Sequence, residues 1–105
     1  MDKKMNTTID FEFYDGTTAK MTLTFYALYQ LKAKNKALYE RYNKIMTKQA
    51  ITDELDMITV VYTAYVCANL SEENLMTEEE FMMKCGCDRI AIRDAVQALT
   101  QPKKQ

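Results

Sequence analysis

Residues 9 to 25 constrain the fold of this chain more than any other stretch. Ile9, Phe11 and Phe13 alternate with Asp10 and Glu12, Asp15-Gly16 follows, and Met21, Leu23 and Phe25 alternate with Thr22 and Thr24. Period-two alternation on both sides of an Asp-Gly predicts a β-hairpin, because glycine accepts the positive φ of a tight turn. One face of that hairpin is apolar from end to end. A lone two-stranded ribbon is marginal in water, so this face requires a covering layer.

The rest of the chain supplies helices for that layer. From Phe25 to Met46 the apolar period lengthens, with Leu28, Leu31, Leu38, Tyr42 and Ile45 on one side. Thr24 suits an N-cap, and Lys44 and Lys48 suit the negative end of the helix dipole. The same residues with Asn35 also fit a/d heptad spacing, Asn35 taking an a position. A second helix is expected over 53–69, opening at Thr52 with Asp53 and Glu54 in its first turn. Its residues from Leu55 to Leu70 are apolar almost all round, as in a buried central helix.

Met76-Thr77-Glu78-Glu79-Glu80-Phe81 reads as a capping box, Thr77 with Glu80, inside a hydrophobic staple, Met76 with Phe81. It predicts a helix over 78–85, ended by Gly86 in the left-handed C′ role. Asp88 then caps a last helix over 89–100 with Ile92, Val96 and Leu99 inward. The expected architecture is α+β: a hairpin over 9–25 on a bundle of about four helices (25–47, 53–69, 78–85 and 89–100). Residues 1–8 form an arm and 101–105 a tail.

Few chemistries fit these residues. The chain has no histidine, and Ser71 is its only serine, so the commonest base and metal ligand are missing and a serine nucleophile has no imidazole. Two glycines seventy residues apart make no phosphate loop. Three thiols, Cys67, Cys85 and Cys87, fall short of a four-ligand zinc site, and Cys85-Gly86-Cys87 reads as a corner between helices. No catalytic, metal or cofactor-binding residue is expected.

The odd cysteine count and the absence of an apolar leader before Asp2, Lys3 and Lys4 predict a reduced cytosolic setting. Charge is segregated although it nearly cancels. Residues 20–48 hold seven Lys and Arg against Glu40, and residues 49–88 hold nine Asp and Glu against Lys84. The two segments could pair internally, stack copies of the chain head to tail, or remain two solvated faces.

On the predicted first helix, Tyr26, Tyr29, Ala33 and Ala37 form a second stripe about 160° from the Leu31 side. Tyrosines supply contact area at low entropy cost, which makes this stripe the candidate partner-binding surface. The alternative for the same helix is nucleic-acid binding through Lys32, Lys34, Lys36, Arg41 and Lys44.

The succession of an Asp-Gly hairpin, "LYQLKAKNKALYERYNKIM", "MITVVYTAYVCANL" and "MTEEEFMMKCGCDRIAIRDAVQAL" resembles the small tail assembly chaperones of long-tailed bacteriophages and prophages, over roughly residues 9 to 99. The resemblance implies a non-enzymatic binding protein in the cytoplasm of a bacterial host. Its implied partners are the long helical tape measure protein, which it keeps soluble, and tail tube subunits, which it helps recruit. The rival readings are a structural or tail-completion component of the virion and a small nucleic-acid-binding regulator.

Overall fold

The computed structural model describes residues 8–100; of the expected arm 1–8, Thr8 opens the first strand, and residues 1–7 with the tail at 101–105 lie outside the described residues. Strands β1 (Thr8–Glu12) and β2 (Thr18–Thr22) pair antiparallel, with Phe11 opposite Ala19 and Ile9 opposite Met21. Their turn is local chemistry. Phe13 N–H donates to Thr17 O at 2.7 Å, Gly16 N–H donates to Phe13 O at 2.9 Å, and Gly16 holds φ +90°. This is a three-residue loop with a glycine bulge. Asp15 Oδ1 accepts from both the amide and the hydroxyl of Thr17, which holds its carboxyl below the usual carboxylate range.

Among the described residues five helices follow: α1 (Phe25–Lys34), α2 (Lys36–Met46), α3 (Glu54–Ala68), α4 (Glu78–Cys85) and α5 (Arg89–Thr100). The count differs from the expected four because the helix expected over 25–47 breaks at Asn35. Asn35 has φ −146° and ψ 77°, its N–H closes α1 on Leu31 O, and its side chain accepts from Leu38 N–H at 3.2 Å to open α2. One asparagine serves both helix ends, so the heptad reading with Asn35 inside a continuous helix is wrong.

Two smaller differences have the same kind of cause. Asp53, not Thr52, caps α3, its carboxylate accepting from Leu55 N–H at 2.8 Å. The hairpin ends at Thr22, and Thr24 caps α1 by accepting from Ala27 N–H at 3.1 Å. Phe25 therefore leaves the sheet phase and becomes the first residue of a helix, 91 % exposed where alternation had turned it inward.

Helix α3 is the centre of the domain, with β2 across it and α1, α2, α4 and α5 around it. Val60, Val61, Thr63 and Ala64 are fully buried on it, and Cys67 is a small core residue. Against α3, Phe81 of α4 is the hub of an aromatic cluster. Its ring lies 5.4 to 6.4 Å from those of Phe11, Phe13, Tyr62 and Tyr65. Such pairs add about 0.5–1.5 kcal/mol each beyond area burial. Both tyrosines satisfy their hydroxyls on Met76: Tyr62 OH donates to its carbonyl at 2.8 Å and Tyr65 OH accepts from its N–H at 3.0 Å. This double clamp fixes the chain entering α4, where Thr77 and Glu80 form the reciprocal capping box.

The charged segments meet in part. Arg41 grips Glu78 through two bonds, Nη1 to Oε1 at 2.8 Å and Nη2 to Oε2 at 3.2 Å, while Thr59 Oγ1 donates to the same carboxylate at 2.8 Å. Lys48 pairs with Asp56. Both pairs join the basic segment to the acidic one inside a single chain.

The hairpin turn is tied to the end of α4. Tyr14 N–H donates to Lys84 O at 3.3 Å, and Lys84 Nζ donates to Thr17 Oγ1 at 2.7 Å while sitting 4.6 Å from the Phe13 ring centre. Tyr14 packs over Gly86, so a Cβ there would lie 3.1 Å from Tyr14 Cγ.

Candidate protein-binding surface

Helix α1 presents two unlike sides. Ala27 and Leu31 are buried against the domain, while Tyr26 and Tyr29 are 69 % and 73 % exposed, with Ala33 exposed beside them. The two tyrosine rings stack on each other, 6.3 Å apart and 24° from parallel, and Gln30 Nε2 donates to Tyr26 OH at 3.4 Å. Phe25, Tyr29 and Ala33 follow i, i+4, i+8 spacing down one side, and Tyr26 stands one turn from Tyr29. The result is an aromatic ridge of three exposed rings on one helix.

This ridge differs from the expected stripe at both ends. Ala37 is exposed but belongs to α2, beyond the break at Asn35, so the helical projection that aligned it with Ala33 does not apply to it. Phe25 was outside the expected stripe although the helix expected over 25–47 begins at it: the alternation over 9–25 also claims it and turns it inward, and the Thr24 cap, which makes the next residue helical, decides between the two.

The basic side chains of α1 and α2 are largely engaged. Lys32 sits 5.4 Å from the Tyr39 ring centre, Lys34 Nζ donates to Leu70 O, Lys36 pairs with Glu40, and Arg41 is held by Glu78. Burial alone would raise Glu78, but the bonds from Arg41 and Thr59 outweigh it and leave its carboxyl below the usual range. Arg41 is a structural tie, whereas Lys32, Lys36 and Lys44 stay exposed at the surface.

The corner at Cys85-Gly86-Cys87 is equally structural in its geometry. Gly86 has φ +61° and ψ −126°, the first central position of a type II′ turn, not the left-handed helical C′ conformation expected. Asp88 N–H closes the turn on Cys85 O at 3.3 Å, and Asp88 Oδ1 accepts from Ala91 N–H to cap α5. Burial pushes the Cys67 thiol up to about 12, and burial with the nearby Asp88 charge pushes Cys85 up to about 11. Both stay protonated and unreactive at neutral pH, and Cys87 is the exposed thiol. Among the described residues no group of three or more Cys, Asp or Glu could hold a metal ion, and no helix is long and apolar enough to cross a membrane.

Comparisons with protein-family models, curated proteins and solved structures gave no match.

Proposed function

We propose that this chain is a non-enzymatic tail assembly chaperone of a long-tailed bacteriophage or prophage. It would act in the host cytoplasm, binding and solubilising the tape measure protein and helping to recruit tail tube subunits. The observation that carries the proposal is the aromatic ridge of α1, where Phe25, Tyr26 and Tyr29 stand in solvent. Aromatic rings dominate the energetics of protein interfaces, and a helix partner reads such a ridge through anchors at i, i+3 and i+4. A long helical client offers apolar stripes at that same spacing. The resemblance of residues 9 to 99 names the client.

The nucleic-acid reading is weaker. Of the five basic residues, Arg41 is held by Glu78 and Lys34 by a backbone carbonyl, Lys36 lies 3.9 Å from Glu40, and the break at Asn35 divides the five between two helices, so they do not form one continuous basic stripe.

The test is co-expression with the adjacent long helical protein of a candidate phage genome. The partner becomes soluble and co-purifies if the proposal holds. A partner that stays insoluble, with nothing co-purifying, ends it. Assembled tails that retain the chain would point instead to a structural or tail-completion component. Changing Tyr26 and Tyr29 together to serine weakens the complex by about thirtyfold or more, since even one interface anchor of this type carries ~2 kcal/mol. Unchanged binding would move the interface off α1.

A further inference from the structure

The free edge of β1 forms a second feature, independent of the aromatic ridge and of the chaperone reading. Phe13 N–H donates to Thr17 O, so the ladder bonds of β1 fall on Phe13, Phe11 and Ile9. Antiparallel pairing alternates, and the even positions Thr8, Asp10 and Glu12 therefore turn their N–H and C=O groups away from β2. Tyr14, next in that series, spends its N–H on Lys84 O. The two edges of the sheet are treated differently. On β2 the outward carbonyl of Lys20 is taken by Asn69 Nδ2 at 3.3 Å, at the end of α3. On β1, among the described residues, no hydrogen bond reaches the outward backbone of Asp10 or Glu12.

That open edge borders a groove of about 590 Å³ whose far wall is α5. The wall is made of Ala91, Ala95 and Ala98, one turn apart, so its small side chains leave room for another backbone. Asp10, Glu12, Asp88 and Asp94 line the groove, and no lysine or arginine does; Asp10 is paired with Lys20 of β2 at 2.8 Å and Asp88 caps α5, so the acidic character open to a partner rests chiefly on Glu12 and Asp94.

We propose that this groove binds an extended, lysine- or arginine-bearing segment of a partner protein by adding it as a third strand beside β1. The backbone of the added strand would take the outward N–H and C=O groups of Asp10 and Glu12. Strand pleating sets the preferred sequence. Residues opposite Asp10 and Glu12 share their solvent face; the one opposite Glu12 should be cationic, since Asp10 already pairs with Lys20, while the alternate residues face the alanines of α5 and should be small and apolar. A second copy of the chain is the wrong occupant: β1 against β1 would set Asp10 and Glu12 of one copy against the same carboxylates of the other, a like-charge pairing that opposes association.

The experiment is amide hydrogen exchange on the full chain with and without a short peptide alternating lysine and valine. Binding should protect the Asp10 and Glu12 amides, while those of Ile9 and Phe11 are protected already. A glutamate-for-lysine peptide should not bind. Two variants should each weaken the peptide by about tenfold or more, the loss of roughly one to two buried hydrogen bonds or of the seat itself. Ala98→Trp fills the groove from an exposed position, and Asp10→Pro removes an outward N–H without touching the ladder.

Several results overturn the proposal. A helical peptide of equal charge that binds as tightly would reduce it to nonspecific attraction. Protection appearing on α1, or no binding at all, would remove the site. Protection of Asp10 and Glu12 in the free protein that grows with protein concentration would assign the edge to a second copy. Protection that disappears when residues 1–7 are deleted would assign it to the chain's own arm.

Discussion

Gly86 is the residue on which the α4–α5 corner depends. Its φ of +61° with ψ −126° is a conformation that side-chain-bearing residues rarely adopt, and Tyr14 stands where a Cβ would go. Gly86→Ala should cost about 2–3 kcal/mol, read from the urea midpoint at unchanged slope. Gly16 makes the comparison: it also has positive φ, but nothing lies within 4 Å of an added Cβ. Gly16→Ala should therefore cost only about 1 kcal/mol, the conformational part alone. The cysteines give a second residue-scale prediction. At pH 8 a thiol reagent should modify Cys87 in the native protein, with Cys67 and Cys85 reacting only on unfolding. Rapid native reaction of Cys85 would contradict its burial.

Among the elements, the α1–α2 junction is the most informative. Asn35→Ala removes the side-chain cap on Leu38 N–H and should lower stability by about 0.5–2 kcal/mol, while Asn35→Ser or Asn35→Asp, which can also cap, should retain most of it. Thermal unfolding followed by circular dichroism checks both. The junction was not legible in the sequence because the apolar period of Leu31, Leu38, Tyr42 and Ile45 runs straight through it. Periodicity reports which side is buried and is blind to a single residue that leaves helical φ/ψ. The capping box at Thr77–Glu80 was legible for the opposite reason, since all its partners lie within four residues. Phe25 fell between the two cases: sheet phase and cap signal disagreed about it, and the cap prevailed.

The whole molecule combines these titrating groups into one stability profile. Cys67 and Cys85 have folded pKa values raised above the ordinary thiol value of 9.0, so above about pH 9 the unfolded chain loses protons first and is favoured. Stability should fall from that point upward toward pH 11 to 12. Glu78 has the opposite sign: its folded value lies below 4.5, so its contribution is present above that pH and fades as acid protonates it. Urea unfolding across pH should show a plateau between these limits. Replacing Cys67 and Cys85 with alanine should soften the alkaline limb, and Glu78→Gln should soften the acid one. At this scale the sequence was least informative. It predicted a hairpin and its need for cover, but α5 running beside β1 brings together residues some eighty positions apart, and no local pattern reports that meeting.

The tie between the hairpin turn and the end of α4 also bears on biosynthesis. Phe11, Phe13 and their turn are made early, whereas the groups that cover and fasten them, Phe81, Lys84 and Gly86, come from the last quarter of the chain. At ~5–20 residues per second the ribosome needs roughly 3–13 s to pass from the turn to Phe81. During that interval α1 and α3 are already available to pack on the ribbon, but the side that Phe81 covers is open, and a nascent chain stalled or cut short before Phe81 would expose the Phe13 ring. The ordering of these contacts makes the synthesis and docking of α4 the step that closes the aromatic cluster.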